Sequence, residues 1–107
     1  MYNKTHIGTE ASILPVWRGI IFEWDEEKAA ANLKKHHIGF DEAMHVFDDV
    51  NRKEYYDASH SDEEDRYFTI GMVRDILFVV YTDRSEVIRI ISARKANEKE
   101  VRLYYDD

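Results

Sequence analysis

Leu77-Phe78-Val79-Val80-Tyr81-Thr82, then Asp83-Arg84-Ser85-Glu86, then Val87-Ile88-Arg89-Ile90-Ile91-Ser92-Ala93: the fold turns on this stretch. Two nearly unbroken apolar runs of strand length, rich in β-branched and aromatic residues, flank four polar residues. An apolar run of this kind is a central strand. A connection this short joins antiparallel neighbours, because a parallel pair needs a crossover of about a dozen residues or more. Upstream, residues 66–72 alternate well enough for another strand, and residues 73–75 turn the chain into the next. Residues 52–57, with Tyr55 and Tyr56, are β-like, and residues 58–65 form a polar, acidic loop.

Helices flank this region. Residues 20–24 are a short apolar run, suited to an edge strand, ending at Asp25. Asp25 reads as an N-cap, with Glu26 and Glu27 in the first turn. Lys34, Lys35 and His36 suit the last turn, and Gly39 can end the helix in the left-handed conformation, giving a helix over 25–37. A shorter helix follows, with Asp41 as its cap and Ala43, Met44 and Phe47 turned inward. At the far end Asn97 caps a last helix, with Glu100 three residues on as in a capping box and Val101, Tyr104 and Tyr105 as its apolar side. The order implies an α+β fold: N-terminal helices, an antiparallel sheet of three to five strands, and a C-terminal helix. Residues 1–19 carry no such pattern and read as an N-terminal extension or appended remnant, with disorder one option; residues 20–107 form the domain.

The chain of 107 residues has no cysteine, which excludes disulfides and thiolate chemistry. No apolar run approaches the roughly 20 residues of a membrane helix. The net charge of −7 opposes nucleic-acid binding, but the charge is unevenly spread. Residues 41–65 hold ten acids against two bases, whereas residues 84–102 hold six bases against three acids. A basic patch on an acidic body is expected, able to take a few phosphates or an acidic partner.

Arg89 stands inside an apolar strand, where it is either a solvated or ion-paired residue or a phosphate clamp. Arg94 and Lys95 fall where the strand meets the helix. Arg89 and Arg94 are five apart, so strict alternation sends them to opposite faces unless a bulge intervenes. Lys35 and His36 are either cations suited to a helix end or proton-transfer groups. Asp57, His60 and Asp62 have a weak metal-site spacing. Tyr67 and Tyr81 are core or rim aromatics, or platforms for a base.

Several segments resemble, in order and spacing, the BrnT toxins: Phe22-Glu23-Trp24-Asp25, Lys28, Asn32, Lys35-His36, Phe40, Ala43 and Val46-Phe47; then Asp57, His60-Ser61, Glu64 and Arg66; then Val79-Val80-Tyr81-Thr82 and Ile88-Arg89-Ile90-Ile91-Ser92-Ala93-Arg94-Lys95. The resemblance runs over residues 20–105, and His37 departs from it where the pattern has glycine. It implies a RelE-like fold and a cytoplasmic ribonuclease toxin of a type II toxin–antitoxin system that stops translation. It further implies a DNA-binding antitoxin of the BrnA type, with operator DNA bound only through that antitoxin and a homodimer or heterotetramer in complex. RNA carries its own nucleophile, the 2′-hydroxyl, so cleavage needs a base, an acid and cations but no metal or cofactor. On this reading Arg89, Arg94 and Arg66 stabilise the phosphate, Lys35 or His36 moves the proton, and Lys95 and Tyr81 hold substrate. Two alternatives stand beside it: a non-catalytic co-repressor acting with a DNA-binding partner, and a metal-dependent nuclease using Asp57, His60 and Asp62.

Overall fold

The computed structural model describes residues 12–13, 16–17 and 19–106. Seven strands, β1 (Ser12–Ile13), β2 (Val16–Trp17), β3 (Ile20–Asp25), β4 (Lys53–Tyr56), β5 (Arg66–Val73), β6 (Asp75–Arg84) and β7 (Val87–Lys95), join helices α1 (Glu26–His36), α2 (Phe40–Ala43) and α3 (Glu98–Tyr105). A 3₁₀ turn, Met44–Asp48, continues α2. The expected extension over 1–19 contributes β1 and β2, which pair antiparallel with β3; residues 1–11, 14–15 and 18 lie outside the described residues. No helix among the described residues is long and apolar enough to cross a membrane.

The fold is α+β, as expected, but the sheet is mixed rather than antiparallel. Its central order is β3-β7-β6-β5-β4. β4 through β7 form the expected meander, whereas β3 lies parallel to β7, with Ile21 opposite Val87 and Glu23 opposite Arg89. Everything between β3 and β7 serves as the connection, which makes room for a parallel pair.

One sheet face carries the core. Phe22, Trp24, Leu77, Val79, Ile90 and Ala93 pack beneath Ile38, Phe40, Ala43 and Val46. A Cβ at Gly71 would come within 2.5 Å of a Val46 methyl, so the glycine lets the 3₁₀ turn rest on β5. Helix α3 belongs to the second face at its far end, where Glu100 grips Arg94 and the Lys53 ammonium donates to the Leu103 and Tyr104 carbonyls. Its capping box is the expected one, while Tyr104 is buried and Tyr105 is exposed, not inward.

Local chemistry fixes α1. Asp25 Oδ1 accepts from the Glu27 and Lys28 amides. The helix ends one turn before Gly39: His37 takes the left-handed conformation (φ 62°), and Gly39 is instead the cap of α2, displacing Asp41 from that role. This explains why the resemblance has glycine at His37. Asn32 is buried and completes the edge of β7 beyond its pairing with β3. Its amide donates to the Ala93 carbonyl (2.8 Å) and the Ile38 carbonyl (3.0 Å) and accepts from the Ala93 N–H (3.1 Å).

Asn32→Ala strands those three buried backbone groups and is expected to cost about 3 kcal/mol in urea unfolding. His37→Gly relieves the left-handed backbone and is expected to raise stability by about 0.5–1 kcal/mol. A loss of stability in the glycine variant would show that the His37 side chain contributes more than its backbone costs.

Candidate functional site

The second sheet face is where the arginines meet. Register places Arg66 opposite Thr82, Thr82 opposite Arg89, and Arg89 opposite Glu23, so these four side chains form one row across β5, β6, β7 and β3. Arg84, two residues after Thr82, shares the face. Glu23 ties the row together. Its carboxylate is nearly buried, and its Oε2 accepts from Arg89 Nη1 (2.9 Å) and Arg84 Nη1 (3.2 Å). A buried carboxylate left unpaired would be costly, so both guanidiniums are drawn to one point. Above them Glu64 accepts from Arg84 Nε (3.0 Å) and Nη2 (3.1 Å). The Arg84 bonds hold the Glu64 carboxyl below its ordinary range against the opposing effect of burial, with the charges of Arg84, Arg89 and Arg66 adding to them. Three guanidiniums therefore face two carboxylates in the row, a balance of +1 before the Asp57 carboxylate of the adjoining cleft is counted. Between Arg66 and Arg89 lies Thr82, buried, whose hydroxyl has no hydrogen-bond partner among the described residues.

Beside this row opens a cleft of about 370 Å³, lined by Arg66, Phe68, Phe78, Val80, Ile91 and Ser92, with Asp57 and His60 at its rim. His60 Nδ1 meets Asp57 Oδ2 at 3.0 Å, leaving Nε2 for other work. Burial pushes the Asp57 carboxyl up, but bonds from Ser59 and His60 outweigh it and hold the group below its ordinary range. An imidazole oriented by a carboxylate is a proton-transfer arrangement.

A bulge resolves the parity of Arg89 and Arg94. Tyr81 pairs with Ile90 and Val80 with Ser92, leaving Ile91 unmatched. Arg89 and Arg94 thus oppose Thr82 and Phe78, four apart on β6, and share a face. They do not share a site: Arg94 lies over the Phe78 ring (4.2 Å), and Glu100 grips it through two bonds of 2.8 and 2.9 Å. Lys95 is exposed near Asp75. Lys35 is exposed and His36 half-buried; both follow Asn32, anchored at Ala93, by one turn, and neither lines the cleft.

Tyr81 requires a correction. It faces the core side, buried between Phe47 and Tyr67, so its ring offers no surface to a base. Burial and Glu54 push its hydroxyl well above the ordinary tyrosine range. Asp57, His60 and Asp62 do not converge either: among the described residues no group of three or more His, Cys, Asp or Glu could hold a metal. A cavity on the core side, near Arg52, Tyr81 and Ile88, is lined by Glu54, Asp83 and Glu86, the wrong sign for a phosphate. Sequence reasoning assigned no role to Glu23, Arg84 or Thr82, and read His60 only as a metal ligand, not as the partner of Asp57 alone. An acid inside the apolar run Ile20-Ile21-Phe22-Glu23-Trp24 was the available signal for Glu23.

Comparisons with known proteins bear on the same segment. Residues 24–100 match the family model described as the ribonuclease toxin, BrnT, of type II toxin–antitoxin systems. The chain is similar to the crystal structure of the Brucella abortus ribonuclease toxin, BrnT, with 28% identity and a TM-score of 0.55 over 70% of this chain and 94% of that one. Among curated proteins nothing matches.

The Arg94–Glu100 pair gives a pH test. Burial alone would raise the Glu100 carboxyl, but the Arg94 bonds, the Asn97 N–H and the Arg94 charge outweigh it and lower it below 4.5. The stabilisation is therefore complete above pH 4.5 and fades as pH falls through the lower folded value. Glu100→Gln is expected to cost about 1–2 kcal/mol at pH 7 and to flatten that acid limb. An unchanged limb in urea titrations would remove Glu100 from the account of acid stability.

Proposed function

The chain belongs to the BrnT family of ribonuclease toxins of type II toxin–antitoxin systems, and on that premise we propose that it is a metal-independent endoribonuclease acting at the arginine row. One observation carries the reading: Arg66, Arg84 and Arg89 converge on Glu64 and Glu23 beside the Asp57–His60 pair. Guanidiniums hold phosphate oxygens through paired bonds and stabilise the charge that grows on a pentavalent phosphorus. The 2′-hydroxyl attacks phosphorus as the bond to the 5′-oxygen breaks, leaving a 2′,3′-cyclic phosphate and a 5′-hydroxyl. His60 Nε2, oriented by Asp57, moves one of the two protons. This replaces Lys35 and His36 in that role, and Arg94 serves as a wall rather than a phosphate ligand.

The rest of the reading follows the family. The protein works in the cytoplasm, inhibits translation by cutting RNA, and is silenced by an antitoxin of the BrnA type. That antitoxin supplies the contact to operator DNA in a dimeric or heterotetrameric complex. The net-positive row is the natural place for an acidic antitoxin segment to block.

Purified protein freed of its partner is expected to cleave RNA equally with and without chelator and to leave the cyclic phosphate. Arg66→Ala and Arg89→Ala should each lower the rate about 10²–10³-fold, and His60→Gln about 10²–10⁴-fold. Arg89→Lys keeps a cation for Glu23 should the alanine variant fail to fold. Unchanged cleavage by a folded Arg66→Ala/Arg89→Lys variant, or its abolition by chelator, overturns the proposal.

A further inference from the structure

We propose that the apolar half of the cleft is a pocket for one unpaired nucleobase, making single-stranded RNA the substrate and the base beside the scissile phosphate its point of recognition. The proposal rests on the arginine row being the phosphate site.

Register sets the spacing. Val80 lies opposite Phe68 on β5 and Ser92 on β7, one side-chain step along the sheet from the Arg66–Thr82–Arg89 row. Two residues of a strand span about 7 Å, which is the reach of one sugar. A phosphate on the row therefore delivers its neighbouring base to Val80. The pocket is built from rigid parts. Phe68 and Phe78 stack at 4.7 Å, Tyr55 backs Phe68 at 5.1 Å, and the guanidinium of Arg94 closes the series. Glu100 fixes that guanidinium through two bonds, so the wall holds its place without ligand.

The bulge completes the pocket. Consecutive strand residues normally point to opposite faces, yet Ile91 and Ser92 both line this cleft because Ile91 is the unmatched residue. Among the described residues of the lining, Ser92 supplies the hydroxyl. Its hydroxyl can donate or accept, so it can meet the edge of a base. The cleft's 370 Å³ suits one nucleotide. A base within a duplex is stacked and paired, and reaches such a pocket only by leaving both neighbours.

The test compares one RNA sequence, single-stranded and annealed to its complement, and measures binding of a dinucleotide lacking the attacking 2′-hydroxyl. The duplex is expected to be cut at least ~30-fold more slowly. Val80→Trp, which fills the pocket, should raise KM for the single strand about tenfold or more while kcat falls much less. Ser92→Ala, the milder change, should alter the ranking of dinucleotides that differ only in the base. By NMR the uncleavable dinucleotide should shift Phe68, Phe78 and Ser92. Equal cleavage of duplex and single strand, or a folded Val80→Trp variant with unchanged KM, overturns the proposal. If the wild type cleaves nothing, the nuclease reading fails, and the titration still decides the pocket: no shift at Phe78 and Ser92 refutes it.

Discussion

A carboxylate withdrawn from water needs a cation, and Glu23 has two. Its position on β3, hydrogen-bonded to the parallel strand β7, forces Arg89 into the second sheet face and pulls Arg84 in from β6. The arginines are thereby fixed before any substrate arrives, which is what a site that stabilises developing charge requires. The buried pair need not stabilise the protein relative to an apolar substitute, but breaking it would strand a charge. Its role is placement: Arg89 spends one nitrogen on Glu23, while Arg84 divides its donors between Glu23 and Glu64.

Glu64 is the counterpart on the solvent side. Its carboxylate sits on Arg84 with the paired geometry that a phosphate oxygen pair would use, and about half its side chain is exposed. Exposed ion pairs of this kind are worth about 0–1 kcal/mol. Displacing Glu64 is therefore cheap, while Glu23 stays in place. This reconciles a net charge of −7 with an anionic substrate. On the proposed reading the body repels RNA at long range while the row attracts it at short range, so binding depends on local geometry more than on the field of the whole protein.

Local signals were legible in the sequence and long-range ones were not. The β6–β7 hairpin and the Asn97–Glu100 box could be read because each is encoded within a few residues. The parallel β3–β7 pair could not, since its partners stand 66 residues apart and apolar runs carry no direction. Composition left Gly39 as the apparent terminator because a non-glycine residue adopts positive φ at His37; only the glycine of the resemblance at that position pointed there. Arg89 and Arg66 could be singled out by residue type. Their company could not, because a one-residue bulge at Ile91 reverses the parity of everything after it. The same slip brings Arg94 onto the face of Arg89, but Glu100 and the Phe78 ring hold it out of the row.

All of this reduces to whether a phosphodiester sits on Arg66, Arg84 and Arg89 in solution. The direct measurement is the Nε–Hε resonance of each arginine while the protein is titrated with a short single-stranded RNA whose 2′-hydroxyls are methylated. Saturable shifts at Arg66, Arg84 and Arg89, with Arg52, Arg74 and Arg102 unmoved, are the expected result. Shifts confined to those last three, or none at any arginine, would contradict it.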